Sequence, residues 1–510
     1  MNLSWVGCAL PKTALRGKGE KRMKAILLLF DSLNRHCLEP YGCGWTHTPN
    51  FRRLAERTVQ FDRCYAGSLP CMPARRELHT GRYNFLHRSW GPVEPYDDSM
   101  PEMLKRHGVY THLISDHQHY WEDGGATYHT RYSSWECVRG QEGDPWKARV
   151  ADPDIPPHLG QAGRQDEVNR QYFISADAQP LGQVFSLARE FLDHNHDADN
   201  WLLHIEPFDP HEPFFTQPEY QRLYPDDYDG PRFDWPPYDH VTEPLGAAAH
   251  CRNQYGALLS MCDDYLGRLL DYMDEHDMWR DTALIVATDH GFLLGEHGWW
   301  AKNRPPFYEE LSHTPLFIWD PRAGCAGERR QALVQTIDLA PTLLGMFGLA
   351  PTPDMQGHDL LETVRTDKPV REAALFGMFG AHICVTDGRY VYMRADRPDT
   401  PLYDYTLLPL HQRAMYAPEE LQQLELAEPF SFTKGCRVLK IAMPKDFYPC
   451  MSVAAEENRD LLFDLQNDPG QQHPLDDPAV EQRMISLMCA LMQANDAPAE
   501  QYRRVGLPQP

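Results

Sequence analysis

No apolar run in this chain approaches the roughly 20 residues that a membrane-spanning helix needs. The 510 residues are 42% hydrophobic and 24% charged, a composition typical of globular proteins in water. A chain of this length can hold two or more average domains, although large α/β enzymes often use most of it for one sheet. The sequence therefore predicts a soluble protein with a large core and no membrane partner.

Positive charge is scarce. The 49 Lys and Arg residues stand against 73 Asp and Glu, which gives a formal net charge of -24. Affinity for nucleic acid comes mainly from clustered Lys and Arg, so this balance argues against a nucleic-acid partner. Any anionic substrate would have to be bound by a local positive site.

The thirteen Cys residues lack the short repeated spacing of a disulfide framework or a zinc site. This pattern suits a reducing compartment, and we expect most of these thiols to be free and buried. Near the start, apolar residues 5–10 precede a basic stretch, which reverses the order found in a signal peptide. We therefore predict a cytoplasmic protein whose residues 1–22 form a flexible extension.

Short apolar runs alternate with longer amphipathic stretches, a pattern typical of βαβ units. The predicted fold class is α/β, with a mainly parallel, doubly wound sheet between helices. The strands are predicted at residues 25–30, 112–115, 201–205, 283–288 and 315–319. The helices are predicted at residues 49–57, 72–80, 181–193, 247–276 and 336–347.

The sequence texture changes near Leu349, where a Pro-Thr-Pro segment marks a break. Hairpin-like runs at residues 380–393 and a final helix near 480–495 follow it. We predict a main domain over residues 23–349 and a smaller C-terminal α+β domain with an antiparallel sheet over residues 350–510. Pro-rich, aromatic segments at 212–244 and 393–449 are predicted to be long loops, which commonly shape substrate pockets.

Two predicted strands end in acidic residues. Asp31 follows strand 25–30, and Asp289 with His290 follows strand 283–288. A lone Asp at such a place is more often a turn or a helix cap, but open α/β sheets also bind ligands there. Carboxylates and an imidazole that converge on one point suit a divalent cation, which would polarise a bound oxyanion.

The most specific pattern is Cys71-x-Pro-x-Arg75, followed after four intervening residues by Thr80-Gly81. Alone, such a Cys could be a small buried residue at a loop-to-helix junction. The complete pattern resembles the signature of the sulfatase family in the alkaline phosphatase superfamily. The resemblance implies that an activating enzyme oxidises Cys71 to formylglycine, whose hydrate is the nucleophile, and that Arg75 binds and orients it.

The resemblance also implies a metal site made of Asp31, Asp289, His290 and the modified residue 71. Most sulfatases have a second acid directly after the first, and this chain has Ser32 there. This loss, with His rather than Asn at position 290, is similar to the phosphonate monoester hydrolase branch. That branch tends to use manganese where a typical sulfatase uses calcium, so one Ca²⁺ or Mn²⁺ ion is expected.

Other polar residues match family positions in the same way. Lys302, 13 residues after Asp289, matches the substrate-binding Lys, and His211 matches the His that protonates the leaving oxygen. Without the match, the Lys would be interpreted as a solvated charge and the His as a structural residue. His119 has the spacing of the His beside formylglycine, where it would accept a proton, and His117 is the alternative.

Asp116 departs from the family pattern, because the resemblance places a Lys there. An anionic side chain near an anionic substrate would repel it. We therefore expect Asp116 to contact the metal, a lysine or a cationic part of the substrate.

These patterns predict a metal-dependent sulfatase that acts on a small-molecule or sugar sulfate ester, with a formylglycine-generating enzyme as its maturation partner. The alternative is a phosphonate monoester or phosphodiester hydrolase with the same nucleophile, which Ser32 and Asp116 favour. A third hypothesis is a non-catalytic metal-binding homologue whose Cys71 stays unconverted. The sequence leaves the organic part of the substrate, the native metal and homo-oligomer formation open.

Overall fold

The computed structural model describes residues 23–304, 306–397, 400–444 and 457–509, so the predicted extension over residues 1–22 lies outside the described residues. The strands are β1 (Lys24–Phe30), β2 (Val59–Tyr65), β3 (Ser68–Leu69), β4 (Tyr110–Ser115), β5 (Ser134–Cys137), β6 (Trp201–Glu206), β7 (Thr282–Thr288), β8 (Leu293–Leu294), β9 (Trp300–Ala301), β10 (His313–Trp319), β11 (Glu328–Arg330), β12 (Val334–Gln335), β13 (Ala374–Met378), β14 (Ile383–Thr386), β15 (Tyr390–Arg394), β16 (Tyr403–Thr406), β17 (Glu425–Ala427), β18 (Val438–Ala442) and β19 (Leu461–Asp464).

The helices are α1 (Pro49–Arg57), α2 (Cys71–Thr80), α3 (Met100–Arg106), α4 (Ala126–His129), α5 (Arg164–Arg170), α6 (Pro180–Asn195), α7 (Pro218–Gln221), α8 (Leu245–Glu275), α9 (Glu309–Ser312), α10 (Leu339–Met346), α11 (Leu361–Thr366), α12 (Pro418–Leu421), α13 (Pro478–Ala494) and α14 (Ala499–Arg504). Among the described residues, no helix combines the length and apolar character needed to cross a bilayer.

A nine-stranded sheet forms the centre of the fold, with the strand order β11-β2-β10-β7-β1-β6-β4-β5 and β12 beside β2. Strands β7, β1, β6, β4 and β5 are parallel neighbours, whereas β10 runs antiparallel to both β7 and β2. The predicted α/β class and its mainly parallel sheet are therefore confirmed.

The side chains of β1 show why its sequence is one continuous apolar run. Ile26 and Leu28 pack into a core with α1, α6 and α8 on one face of the sheet. Leu27 and Leu29 pack into a second core, with α3 and α10, on the other face. A parallel strand covered by helices on both faces buries every side chain, so its sequence does not alternate between apolar and polar residues.

The C-terminal part contributes a second sheet of five strands in the order β19-β15-β14-β13-β3. Helix α13 packs on this sheet through Met484 and Met488. Strand β3 pairs in parallel with β13, with Ser68 opposite Gly377. The second sheet therefore includes a short strand that ends two residues before Cys71.

Two predictions about local structure need correction. Segment 393–449 contains the three-stranded sheet β16-β18-β17, so its prediction as a long loop was wrong for the described residues. Residues 398, 399 and 445–449 of this segment lie outside the described residues. These strands are only three to five residues long. An alternation of apolar and polar residues cannot be recognised over so few positions in a Pro-rich segment. The predicted helix 336–347 begins as a 3₁₀ turn, and α10 follows from Leu339.

Candidate active site

Three adjacent strands deliver carboxylates to one edge of the large sheet. Asp31 follows β1, Asp289 follows β7, and Glu206 is the last residue of β6. The strands are parallel, so their carboxyl ends meet at one edge, and all three side chains are buried. The sequence analysis missed Glu206, although it gives the same signal, an acid at the end of an apolar strand.

Cys71 is the first residue of helix α2, and its side chain faces this edge. Its Sγ lies 3.3 Å from Nε2 of His290 and 3.7 Å from Oδ1 of Asp31. One ligand atom from each of Asp31, Cys71, Asp289 and His290 can be chosen so that all four lie within 4.8 Å of one another. The structure therefore brings together the four residues predicted to hold a metal ion.

The chemistry of these donors fits a divalent cation. Nδ1 of His290 donates to the carbonyl oxygen of Gly291 at 2.8 Å, which leaves the lone pair of the neutral ring on Nε2. Oδ2 of Asp31 is buried and receives no well-aligned hydrogen bond from any residue that the structure describes. Two carboxylates and an imidazole nitrogen suit a hard or borderline ion, and oxidation of Cys71 would place oxygen where Sγ now lies.

Arg75 is fully buried and binds the carboxylates from beneath. Its Nε lies 2.6 Å from Oε1 of Glu206, its Nη2 lies 2.9 Å from Oδ2 of Asp31, and its Nη1 contacts Asp289. Nη1 also donates to the carbonyl oxygen of Cys71 at 3.1 Å. Arg75 therefore fixes the start of α2 against the three strand ends, as expected of a residue that orients position 71.

Lys302, which follows β9, reaches into the site from above. Its Nζ donates to Oγ of Ser32 at 3.1 Å and lies 3.5 Å from Oε2 of Glu212 and 3.8 Å from Oδ1 of Asp31. Burial alone would lower the pKa of Lys302, but the carboxylates of Glu212 and Asp31 outweigh it and hold the pKa above its usual value. Lys302 is therefore a firmly charged cation, suited to binding an oxyanion.

Ser32 takes part in this arrangement although it cannot replace a carboxylate ligand. Its Oγ donates to Oδ1 of Asp31 at 2.8 Å while it accepts from Lys302. The residue that departs from the family pattern therefore connects the cation with the first acid.

His211 lies in the loop after β6 and is buried beside Lys302 and Asp31. Its Nδ1 donates to the carbonyl oxygen of Glu212 at 2.5 Å, so Nε2 is the nitrogen left for chemistry. Burial, followed by the charge of Lys302, holds the pKa of His211 well below its usual value.

The structure separates the two histidines that the sequence left as alternatives. Nε2 of His117 lies 3.7 Å from Oδ2 of Asp31, and neither ring nitrogen has a hydrogen-bond partner among the described residues. Nδ1 of His119 instead lies 2.6 Å from Oε2 of Glu122, and its ring packs edge-on against Trp90. The two imidazole centres are 5.1 Å apart, so His117 lies in the cluster and His119 lies behind it.

Asp116 is turned away from the cluster. Its Oδ1 accepts the backbone N–H of Phe208 at 2.7 Å, and its Oδ2 accepts Nε2 of Gln141 at 2.9 Å. Neither a lysine nor a metal-cluster residue is among these partners. Burial raises the pKa of Asp116 to about 7.

The protein groups around Cys71 disfavour the ionised form of its thiol. Burial and the neighbouring Asp31 raise the pKa of its thiol well above the usual value. The thiolate is therefore disfavoured, and it is the thiolate that reacts.

A sulfatase family model matches residues 24–349, well over half of the chain, and a model for the C-terminal part of N-sulphoglucosamine sulphohydrolase matches residues 295–426. The chain belongs to the sulfatase family. The family predicted from residues 71–81 is thus confirmed.

Curated relatives of this sulfatase carry several substrate names. It is 25% identical to a choline-sulfatase of Rhizobium meliloti (strain 1021), over 76% of the chain and 80% of that protein. It is 23% identical to an N-acetylglucosamine-6-O-sulfatase of Bacteroides thetaiotaomicron, over 84% of the chain and 88% of that protein. Among solved structures, the phosphonate monoester hydrolase of Agrobacterium radiobacter matches with a TM-score of 0.66 at 19% identity, over 92% and 95%. At that identity, the structural match speaks for the fold alone.

Proposed function

We propose that this sulfatase hydrolyses a small-molecule or sugar sulfate ester through a formylglycine made from Cys71, with one Ca²⁺ or Mn²⁺ ion held by Asp31, Asp289 and His290. The observation that carries the proposal is the convergence of these four residues within 4.8 Å, beside Lys302.

When both groups are in place, the formylglycine supplies a hydrated aldehyde as nucleophile, and the metal ion polarises the sulfate. The protein's own residues do the remaining work. Lys302 is placed to bind sulfate oxygens and to stabilise the charge that develops on them. Arg75 holds residue 71 in line with the strand ends through the Cys71 carbonyl.

Proton transfer is assigned to the two histidines in the cluster. His211 presents Nε2, and a bound sulfate ester adds negative charge that raises the pKa of this ring, so that it can protonate the leaving oxygen. His117 lies beside Asp31, neither of its ring nitrogens has a hydrogen bond from the described residues, and it is the group that accepts a proton at position 71. We assign this second role to His117 rather than to His119, whose Nδ1 is paired with Glu122.

A phosphonate monoester or phosphodiester hydrolase is the second candidate, and Ser32 is the observation that favours it. With Ser32 in place of a second acid, the site has one ligand carboxylate fewer than a typical sulfatase, which is the departure seen in the phosphonate branch.

A panel of esters tests both candidates. The protein, co-produced with a formylglycine-generating enzyme and supplied with Ca²⁺ or Mn²⁺, is assayed on an aryl sulfate, an aryl phosphonate monoester and an aryl phosphodiester. We expect the highest kcat/KM on the sulfate. A preference for either phosphorus ester would replace the sulfatase proposal with the second candidate. Protein whose Cys71 stays unconverted in this co-production, and which turns over no ester, would leave the non-catalytic hypothesis.

A further inference from the structure

Asp116 belongs to a buried polar cluster that the proposed chemistry does not use directly. The cluster consists of Asp116, Gln141 and Asp209, which are at most 8% exposed. Nε2 of Gln141 donates to Oδ2 of Asp116 at 2.9 Å and to Oδ1 of Asp209 at 3.1 Å. One amide group thus bridges the two carboxyl groups. Burial raises the pKa of both, and the charge of Asp116 raises that of Asp209 further.

The cluster is coupled to the candidate active site through Phe208. The backbone N–H of Phe208 donates to Oδ1 of Asp116 at 2.7 Å. The ring of Phe208 stacks on His211 with its centre 3.9 Å away, and meets the ring of His117 edge-on at 4.8 Å. Asp116 therefore holds the residue that separates the two histidines.

We propose that Asp116 is a positioning residue that acts through Phe208 to orient His211 towards the leaving oxygen of the substrate. The inference rests on the proposed function, in which His211 is the acid. A buried backbone N–H without an acceptor is costly, so removal of the Asp116 carboxylate would make the loop of residues 207–212 shift until Phe208 finds another partner. The imidazole of His211 would move with the ring on which it stacks.

The test compares two substrates that differ in their need for an acid. An alkyl sulfate leaves as a basic alkoxide and needs protonation, whereas 4-nitrophenyl sulfate leaves readily without it. We expect Asp116→Ala to lower kcat/KM for the alkyl ester about 10- to 100-fold while changing the aryl ester less than about 3-fold. Asp116→Asn keeps an acceptor oxygen for the Phe208 N–H and should restore most of the alkyl ester activity.

A matched control separates positioning from loss of stability. Asp263 is also buried, and it accepts the backbone N–H groups of Phe51 at 2.8 Å and Asn50 at 3.0 Å, in a different part of the fold. Asp263→Ala should lower the Tm, as Asp116→Ala does, and should affect both esters equally.

A double-mutant cycle completes the test. In a His211→Ala background, Asp116→Ala should cost no further alkyl ester activity, because the group that it positions is gone. Equal losses on both esters, or full additivity with His211→Ala, would overturn the positioning role while leaving the proposed function intact. Wild-type protein with converted Cys71 that hydrolyses neither ester would overturn both.

Discussion

Two fully buried arginines in this protein have contrasting surroundings. Arg88 contacts Glu94, Thr406 and the carbonyl oxygen of Leu410, and so connects the main sheet region with the C-terminal strands. Both carboxylate oxygens of Glu94 have hydrogen-bond donors among the described residues, one of them the N–H of Leu407 at 3.0 Å.

The polar groups around Arg75 are less fully hydrogen-bonded. In the part of the chain that the structure describes, Oδ2 of Asp31 and Oε2 of Glu212 are buried without a well-aligned donor, and both ring nitrogens of His117 are buried without a hydrogen-bond partner. Buried polar atoms in native proteins are nearly always hydrogen-bonded, so each exception calls for an explanation. The difference teaches that the carboxylate beside Arg88 has its hydrogen-bond donors in place, although Nε of Arg88 has none among the described residues. The Arg75 cluster instead leaves carboxylate oxygens that are held only by ion pairs and an imidazole without a hydrogen bond, and these groups can take a cation and a substrate.

The largest effect should follow from changing Cys71, because this residue is proposed to become the nucleophile. Cys71→Ala should lower the turnover of a sulfate ester at least about 10⁴-fold, because the remaining groups bind and polarise the ester without attacking it. The measurement is kcat on an aryl sulfate with metal present, beside a thermal melt that confirms folding. Retention of wild-type activity would remove formylglycine from the mechanism.

Arg88→Ala should instead destabilise the fold and leave the catalytic activity nearly unchanged. Removing this guanidinium leaves Glu94 buried without its cation, which should destabilise the fold by about 3–5 kcal/mol. Denaturant unfolding measures the loss, and kcat/KM per folded molecule should stay near the wild-type value. A catalytic defect as large as the stability defect would mean that the two arginine clusters are not functionally distinct.

Metal binding should stabilise only the cluster with free acceptors. At a concentration 100 times its Kd, an ion that binds the native state alone adds about 2.7 kcal/mol. Thermal melts with and without chelator should therefore differ for the wild type, and an Asp289→Asn variant should show little response. An equal response in both would place the ion elsewhere.

Within the first pH unit below 6.5, the smallest expected effect is a pH dependence beside Arg88, of about 1.4 kcal/mol. Burial lowers the pKa of His87 to about 3, and Nε2 of His87 donates to the carbonyl oxygen of Asp496 at 2.8 Å. Between pH 6.5 and about 3 the unfolded chain binds a proton on His87 and the folded chain does not. The stability contribution of neutral His87 is therefore present above pH 6.5 and is lost as the pH falls.

His87→Gln should flatten this part of the curve of unfolding free energy against pH, because it removes a group that takes up a proton on unfolding. The slope should fall by up to the amount that corresponds to one bound proton. An unchanged slope would show that other groups cause the acid sensitivity.

The sequence predicted those parts of the site that are carried by contiguous residues. Residues 71–81 contain the cysteine, the arginine and the helix start together, and Asp31 and Asp289 could be read from the ends of apolar strands. The choice between His117 and His119 could not be made, because a 3₁₀ turn from Gln118 decides which ring faces Asp31. The partners of Asp116 come from residues 141 and 208, a long-range contact that no local pattern encodes.

The measurement that tests the central claim most directly is the mass of the Cys71 peptide from a preparation that actively hydrolyses an aryl sulfate. The account predicts the lighter mass of the aldehyde, or that of its hydrate, in a fraction that rises with specific activity when a formylglycine-generating enzyme is co-produced. An active preparation in which every such peptide carries an unmodified thiol would contradict it.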